Sequence, residues 1–404
     1  MIPNNASRRA ALLPGWLAIF ASLTGCAAWA EIRTEHRGEI TAEASWYPQG
    51  AAHAGQKDSF VHTEARPELV VYGDVAEVLI QPRISGGTAG EGTIDFREAN
   101  VTTRLGDVDI LIGSTILFWG KVESYNPVDV VNAKDFNRGV VRSEKRGAPM
   151  LRLSWPAGTG QLSLLAIDFT ENIYPGVASR ERPALPIAKE ASYSGGAKRE
   201  DIANAVRWSG YFGDIDLGIS WFRGTGLAPR LLPQADGTLK PDYSRITQTG
   251  LDVQYLWHDS ALKIELVRRS GQYDRLGTAR NYQASVVGIE HNLFGVMDSG
   301  HDIVLIGEYA GDSRRELTHS GFQNDLTVGT RWLWNDIEDT KMLGLLTRDL
   351  DNGAQTATVS IDRRINDQLT FEASARGTSR YASDPNSTAF QRDSAVNMAL
   401  SYWF

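Results

Sequence analysis

From Arg37 onward, apolar and polar residues alternate in segments of about 9 to 15 residues, bounded by turn-forming residues. Leu369, Phe371, Ala373 and Ala375 share one face against Thr370, Glu372, Ser374 and Arg376. Leu251, Val253, Tyr255 and Trp257 oppose Gln248, Asp252 and Gln254, and Leu262, Ile264 and Leu266 oppose Lys263, Glu265 and Arg269. A period of two places successive side chains on opposite faces of a strand. The pattern predicts strands at 36–47, 58–72, 74–86, 93–105, 107–119, 148–155, 160–170, 202–212, 214–224, 246–257, 260–270, 280–292, 301–310, 322–334, 340–348, 354–365, 367–377 and 392–404.

Short turns and long loops alternate between these segments. Gly73-Asp74, Gly106-Asp107, Gly213-Asp214, His258-Asp259, Asn335-Asp336 and Asn366-Asp367 are tight-turn pairs, whereas residues 120–147, 171–201, 225–245 and 378–391 are long and rich in Gly, Pro, Ser and charge. Aromatic residues keep the same phase. Tyr72, Trp155, Phe212, Trp257, Phe294, Trp334 and Phe404 fall near the short turns or the chain end, and Trp46, Trp119, Phe169, Trp221 and Tyr309 near the long loops. A soluble sandwich also alternates, but it has no reason to place rings at strand ends in step with loop length. The expected fold is all-β, a transmembrane antiparallel up-and-down β-barrel of about 18 strands (16–18), with both termini on the short-turn side.

Both ends of the chain agree. Val396, Met398, Leu400, Tyr402 and Phe404 share one face of the last strand, and Tyr402 with the terminal Phe404 resembles the C-terminal signal read by the barrel-assembly machinery of bacterial outer membranes. Arg8 and Arg9 precede an apolar run from Ala10 to Leu23, and Ala28-Trp29-Ala30 has the form of a signal-peptidase site, so residues 1–30 read as a signal peptide and 31–404 as the barrel. Leu23-Thr24-Gly25-Cys26 also fits a lipobox. Cys26 is then either the lipidated first residue or is lost with the signal, and the Ala30 site favours loss. In that case no thiol remains for a disulfide or a thiolate metal site.

The formal charge of −8 becomes −10 once residues 1–30, with two arginines and no acid, are removed. This argues against nucleic acid as a partner. Mean hydropathy is −0.28 and no later apolar run suits a transmembrane helix, but a barrel needs only alternate apolar residues.

On the barrel reading, Arg97, Arg104, Arg152, Arg207, Lys263, Arg269, Arg331, Arg364 and Arg376 face the lumen with Asp95, Asp216, Asp252, Glu265, Glu290, Asp325, Asp362 and Glu372. Such charges either select permeant solutes or pair across strands to hold the wall. Residues 120–147 are the candidate constriction. There Asp129 and Asp135 lie near Lys134, Arg138, Arg142, Lys145 and Arg146, and opposed acidic and basic clusters would set a transverse field.

Trp119-Gly120, Asn126-Pro127 and Asp129, after DILIGSTILFWG, resemble a pattern in an uncharacterised family of proteobacterial outer-membrane proteins. The whole layout is similar to that of monomeric, 18-stranded, substrate-specific porins. The resemblance implies a porin-like outer-membrane channel for passive diffusion of small polar or charged solutes, in contact with outer-membrane lipids. An export conduit for a polysaccharide or lipid is the alternative. An outer-membrane enzyme is the third reading, and it is disfavoured because His36, His53, His62, His258, His291, His301 and His319 sit in no catalytic motif. Neither a cofactor nor a metal is expected.

Overall fold

The computed structural model describes residues 32–88, 90–139, 142–379 and 392–404. The signal segment, with Cys26, lies outside the described residues, as does most of loop 378–391. Among the described residues, 18 antiparallel strands close into a barrel. They are Arg33–Trp46, Ser59–Tyr72, Ala76–Gly87, Gly90–Leu105, Val108–Thr115, Ala148–Ala157, Gly160–Asp168, Ile202–Phe212, Ile215–Thr225, Leu239–Trp257, Ser260–Tyr273, Ala279–Leu293, Asp302–Asp312, Asn324–Leu333, Lys341–Asp349, Gln355–Arg364, Leu369–Thr378 and Ala395–Trp403. Each pairs with its predecessor in sequence, and the last returns to the first, with Glu39 opposite Trp403 and Trp46 opposite Val396. Closure leaves no unpaired strand edge, the condition for β-structure in hydrocarbon.

The seam is tied at the chain end. Gly38 N–H donates to the Phe404 carbonyl at 2.8 Å, and Phe404 N–H donates back at 3.0 Å. The Phe404 ring lies over Gly38 so closely that a side chain there would clash, so this glycine leaves room for the ring. The tight turns use the expected chemistry: Gly213 has φ 58 and His258 φ 51, both in the left-handed region.

Outward positions carry the apolar stripe. Ile40, Val61, Ile219, Leu266, Val287, Val328, Met398 and Leu400 are all exposed on the wall. Trp46, Trp221 and Tyr309 project outward near the long-loop rim, and Phe212, Trp257, Phe294 and Phe404 are exposed at the short-turn rim.

Three predicted girdle residues differ. Trp119 is buried inside the barrel, because the strand expected over 107–119 ends at Thr115 and the chain turns into the lumen. Tyr72 stands on the inner face with Val70 and bonds to Glu35. Phe169 packs against Tyr193 and Tyr243 instead of standing alone at the rim. The strand expected at 246–257 begins earlier, at Leu239, and pairs there with two short strands, Ser192–Ser194 and Arg230–Pro233.

Candidate functional site

The lumen is crossed by residues 116–147, which rest on two chemically different walls. On one side Trp119, Val128, Val130 and Val131 pack against inward residues that include Leu111, Met150, Leu165, Ala205, Phe222, Ile246 and Val267. Here the inner face of the wall strands carries an apolar patch, because it meets this loop. Asn132 fixes the base of the loop by donating to the Thr115 and Arg146 carbonyls, each at 2.9 Å, and accepting from Leu117 N–H at 2.8 Å.

The tip is held by two wall carboxylates. Glu265 accepts from the backbone N–H of Lys121 at 2.6 Å, Val122 at 3.3 Å and Val128 at 3.5 Å. Glu308 accepts from Glu123 N–H at 2.7 Å, from Ser124 N–H at 2.8 Å and from the Ser124 hydroxyl. Glu123 pairs with Arg331 at 2.6 Å, and Tyr125 stacks on Phe322 at 5.0 Å. Gly120 has φ 137, and a side chain there would strike Asn126 and Glu265. The bend that aims the tip at Glu265 therefore requires glycine.

The opposite side is ionic. Glu43 takes Arg138 and Arg142, the latter at 2.5 Å. Glu144 takes Arg138, Arg66 at 2.5 Å and Arg97 at 3.2 Å. Arg83 bridges Asp95 at 2.9 Å and Asp135 at 2.6 Å, and Arg146 reaches Asp95 at 3.2 Å. Within the loop, Lys145 pairs with Asp129 at 2.6 Å. Burial pushes the Asp129 carboxyl up while Lys145 pulls it back, and burial lowers Lys145. Glu43, Glu64, Arg83, Glu265 and Glu308 are all buried at this level.

A second layer spans the long-loop mouth. Leaving the Gly160–Asp168 strand, residues 171–201 reach the opposite wall, where Arg180 bonds to Asp58 at 2.7 Å and Asp393 at 2.9 Å. Glu181 pairs with Arg376 at 2.8 Å and accepts from the Tyr47 hydroxyl at 3.2 Å. Gly139, with φ 98, lies directly against the Glu181 carboxylate, so the two layers touch.

The residues singled out for the constriction, Asp129, Asp135, Arg138, Arg142, Lys145 and Arg146, all lie in or beside the loop that crosses the lumen. They are paired one with another or with the wall. Of the wall charges, Arg97 bonds to Glu144, Arg207 to Asp252 at 2.8 Å, Lys263 to Glu290 at 2.5 Å, Arg269 to Gln248, Arg331 to Glu123 and Arg376 to Glu181. Arg152 faces inward between Leu111 and Leu165, and Asp216 lies 3.9 Å from Lys121. Arg104 and Arg364 stand at the short-turn rim, where Arg104 pairs with Asp109 at 2.6 Å and is 71% exposed. Asp362 sits opposite Lys341 and Glu372, and Asp325 opposite Asp349.

Sequence reasoning missed Glu43, Glu64, Arg66, Arg83, Glu144, Glu308, Arg180 and Glu181. Glu43, Glu64, Arg66 and Arg83 lie on the polar phase of their strands, a signal that was available. Arg180 and Glu181 gave none, because a loop residue's partner 213 or 195 positions away is invisible to periodicity. Among the described residues, no group of three or more His, Cys, Asp or Glu side chains is placed to hold a metal ion.

No family model and no curated protein sequence matches the chain. Its fold is similar to that of Wzi from Escherichia coli, with 11% identity, a TM-score of 0.52, and coverage of 90% of this chain and 83% of Wzi. It is also similar to OccD3 from Pseudomonas aeruginosa, with 8% identity, a TM-score of 0.53, and coverage of 94% and 93%. At such identities the likeness is one of fold. This chain has the fold of an 18-stranded outer-membrane β-barrel.

Proposed function

We propose that this protein is a gated outer-membrane channel for small polar or charged solutes, with residues 116–147 as its gate. The observation that carries this reading is the asymmetric seating of the loop, apolar on one wall and ionic on the other. The apolar side supplies a hinge that water does not loosen. The ionic side, with the carboxylates that hold the tip, supplies contacts that a charged solute can exchange for its own. Fixed charges of both signs then line the opened path and select by field and hydrogen bonding. Nothing in this role requires a catalytic residue or a cofactor.

Planar-bilayer recording tests the reading. Wild-type barrel should conduct weakly, and Glu265→Gln with Glu308→Gln, or deletion of residues 121–139, should raise the conductance. A correctly folded barrel that stays silent even without the loop would end the channel reading.

A second reading is a closed barrel that binds saccharide at its outer face. It is favoured by the strap of residues 171–201 over the mouth and by the packed rings of Phe169, Tyr193 and Tyr243 beside it. Wzi is described as a carbohydrate-binding barrel involved in group 1 capsule assembly. Oligosaccharide binding by a non-conducting barrel would support this reading over the first.

A further inference from the structure

Outside the barrel, near the long-loop rim, three consecutive strands carry a set of donors facing the membrane. Arg223 stands opposite Thr247, and Thr247 opposite Ser270. One row nearer the bilayer centre, Trp221 stands opposite Thr249, Thr249 opposite Arg268, and Arg268 opposite Gln283. These side chains point outward because their chain neighbours Phe222, Ile246 and Val267 are buried in the inner core. Below them Ile219, Leu266 and Val287 are 51%, 42% and 49% exposed, which marks the edge of the apolar band. Arg223 and Arg268 have neither a hydrogen-bond nor an ion-pair partner among the described residues. Of the carboxylates on this part of the outer rim, Asp201 is already bonded to Arg245 at 2.6 Å and Asp168 lies two strands from Arg223.

A guanidinium at the edge of hydrocarbon without a protein partner takes one from the headgroup layer. Arginine matches the oxygen fork of phosphate, and hydroxyls add further donors. The two arginines are separated by two strand spacings, about 10 Å, and by one row, about 7 Å. That span suits one headgroup bearing more than one phosphate, or two neighbouring headgroups. We propose that Arg223 and Arg268, with the hydroxyls of Thr247, Thr249 and Ser270, form a site on the outer wall for phosphate groups of an anionic lipid in the external leaflet. Its acyl chains lie on Ile219, Leu266 and Val287, beside Trp221. The site rests on the barrel spanning a membrane and is independent of whether the lumen conducts.

The test is native mass spectrometry of the whole barrel released from nanodiscs of phosphatidylcholine doped with phosphatidic acid. Wild-type protein should retain phosphatidic acid, and Arg223→Gln with Arg268→Gln should retain about tenfold less, as expected for the loss of two charge-assisted contacts. Arg348→Gln, at an outward arginine near the same rim but on another strand, should retain as much as wild type. Added inorganic phosphate should leave the bound lipid in place. Equal retention by the double variant, an equal loss in Arg348→Gln, or displacement by inorganic phosphate would overturn the proposal. Heat-dependent gel mobility confirms that each variant is folded.

Discussion

At the scale of single residues, the molecule depends on charges that are buried only because partners are placed for them. Glu43 is 3% exposed and holds two arginines of the inward loop. Glu43→Gln takes one carboxylate from each guanidinium and leaves Arg138 to Glu144 and Arg142 to Glu372 at 3.7 Å, so the cost stays below the about 3–5 kcal/mol of a buried charge left wholly unpaired. Hydrogen exchange should report that loss as faster exchange of the loop backbone, with the barrel strands unchanged. Arg138→Gln with Arg142→Gln instead leaves Glu43 and Glu372 without cations, so the ion selectivity measured in bilayers should shift toward cations. Asp129 offers a test in pH. Burial raises its carboxyl, so the folded state binds this proton more tightly than the unfolded chain. Its contribution is present in full below the ordinary carboxylate value and is lost as pH rises through the raised one. Denaturant unfolding of wild type and Asp129→Asn should therefore show wild type gaining relative stability as pH falls from 7 toward 4; a gap that is flat or runs the other way refutes the assignment.

At the scale of elements, the inward loop explains why one part of the wall breaks the alternating pattern. The run DILIGSTILF and the strand Gly160–Asp168 are nearly continuous in apolar residues. A strand facing lipid on one side and water on the other has no use for a second apolar face. Leu111, Leu165 and Ile167 face inward because Val128, Val130 and Val131 cover them. The lost alternation was legible in the sequence and was the one signal there that a loop returns to the wall. The direction of the tip was not legible, since it depends on Glu265 and Glu308, about 140 and 185 positions away. Gly120→Ala tests that direction: the added carbon strikes Asn126 and Glu265, so the tip should lift from its carboxylates and protease cleavage near Glu123 should increase.

At the scale of the whole molecule, stability comes from closure. Each of the 18 strands has two neighbours only because the last pairs with the first. Deleting Phe404 removes the two backbone hydrogen bonds to Gly38 and the ring above it. The resistance of the folded barrel to heat in detergent, read by gel mobility, should fall while strand content at low temperature remains. An unchanged transition would show that the seam does not depend on its terminal residue.

By itself the sequence determined the class of fold, the strand number to within two and the phase of the loops, because a period of two and the chemistry of tight turns are local properties written into neighbouring residues. Tertiary structure alone decided how residues 116–147 seat in the lumen, that their charges are paired, and that residues 171–201 cover the mouth. Each of those outcomes rests on contacts between strands far apart in the chain, and a barrel brings such strands together only when it closes.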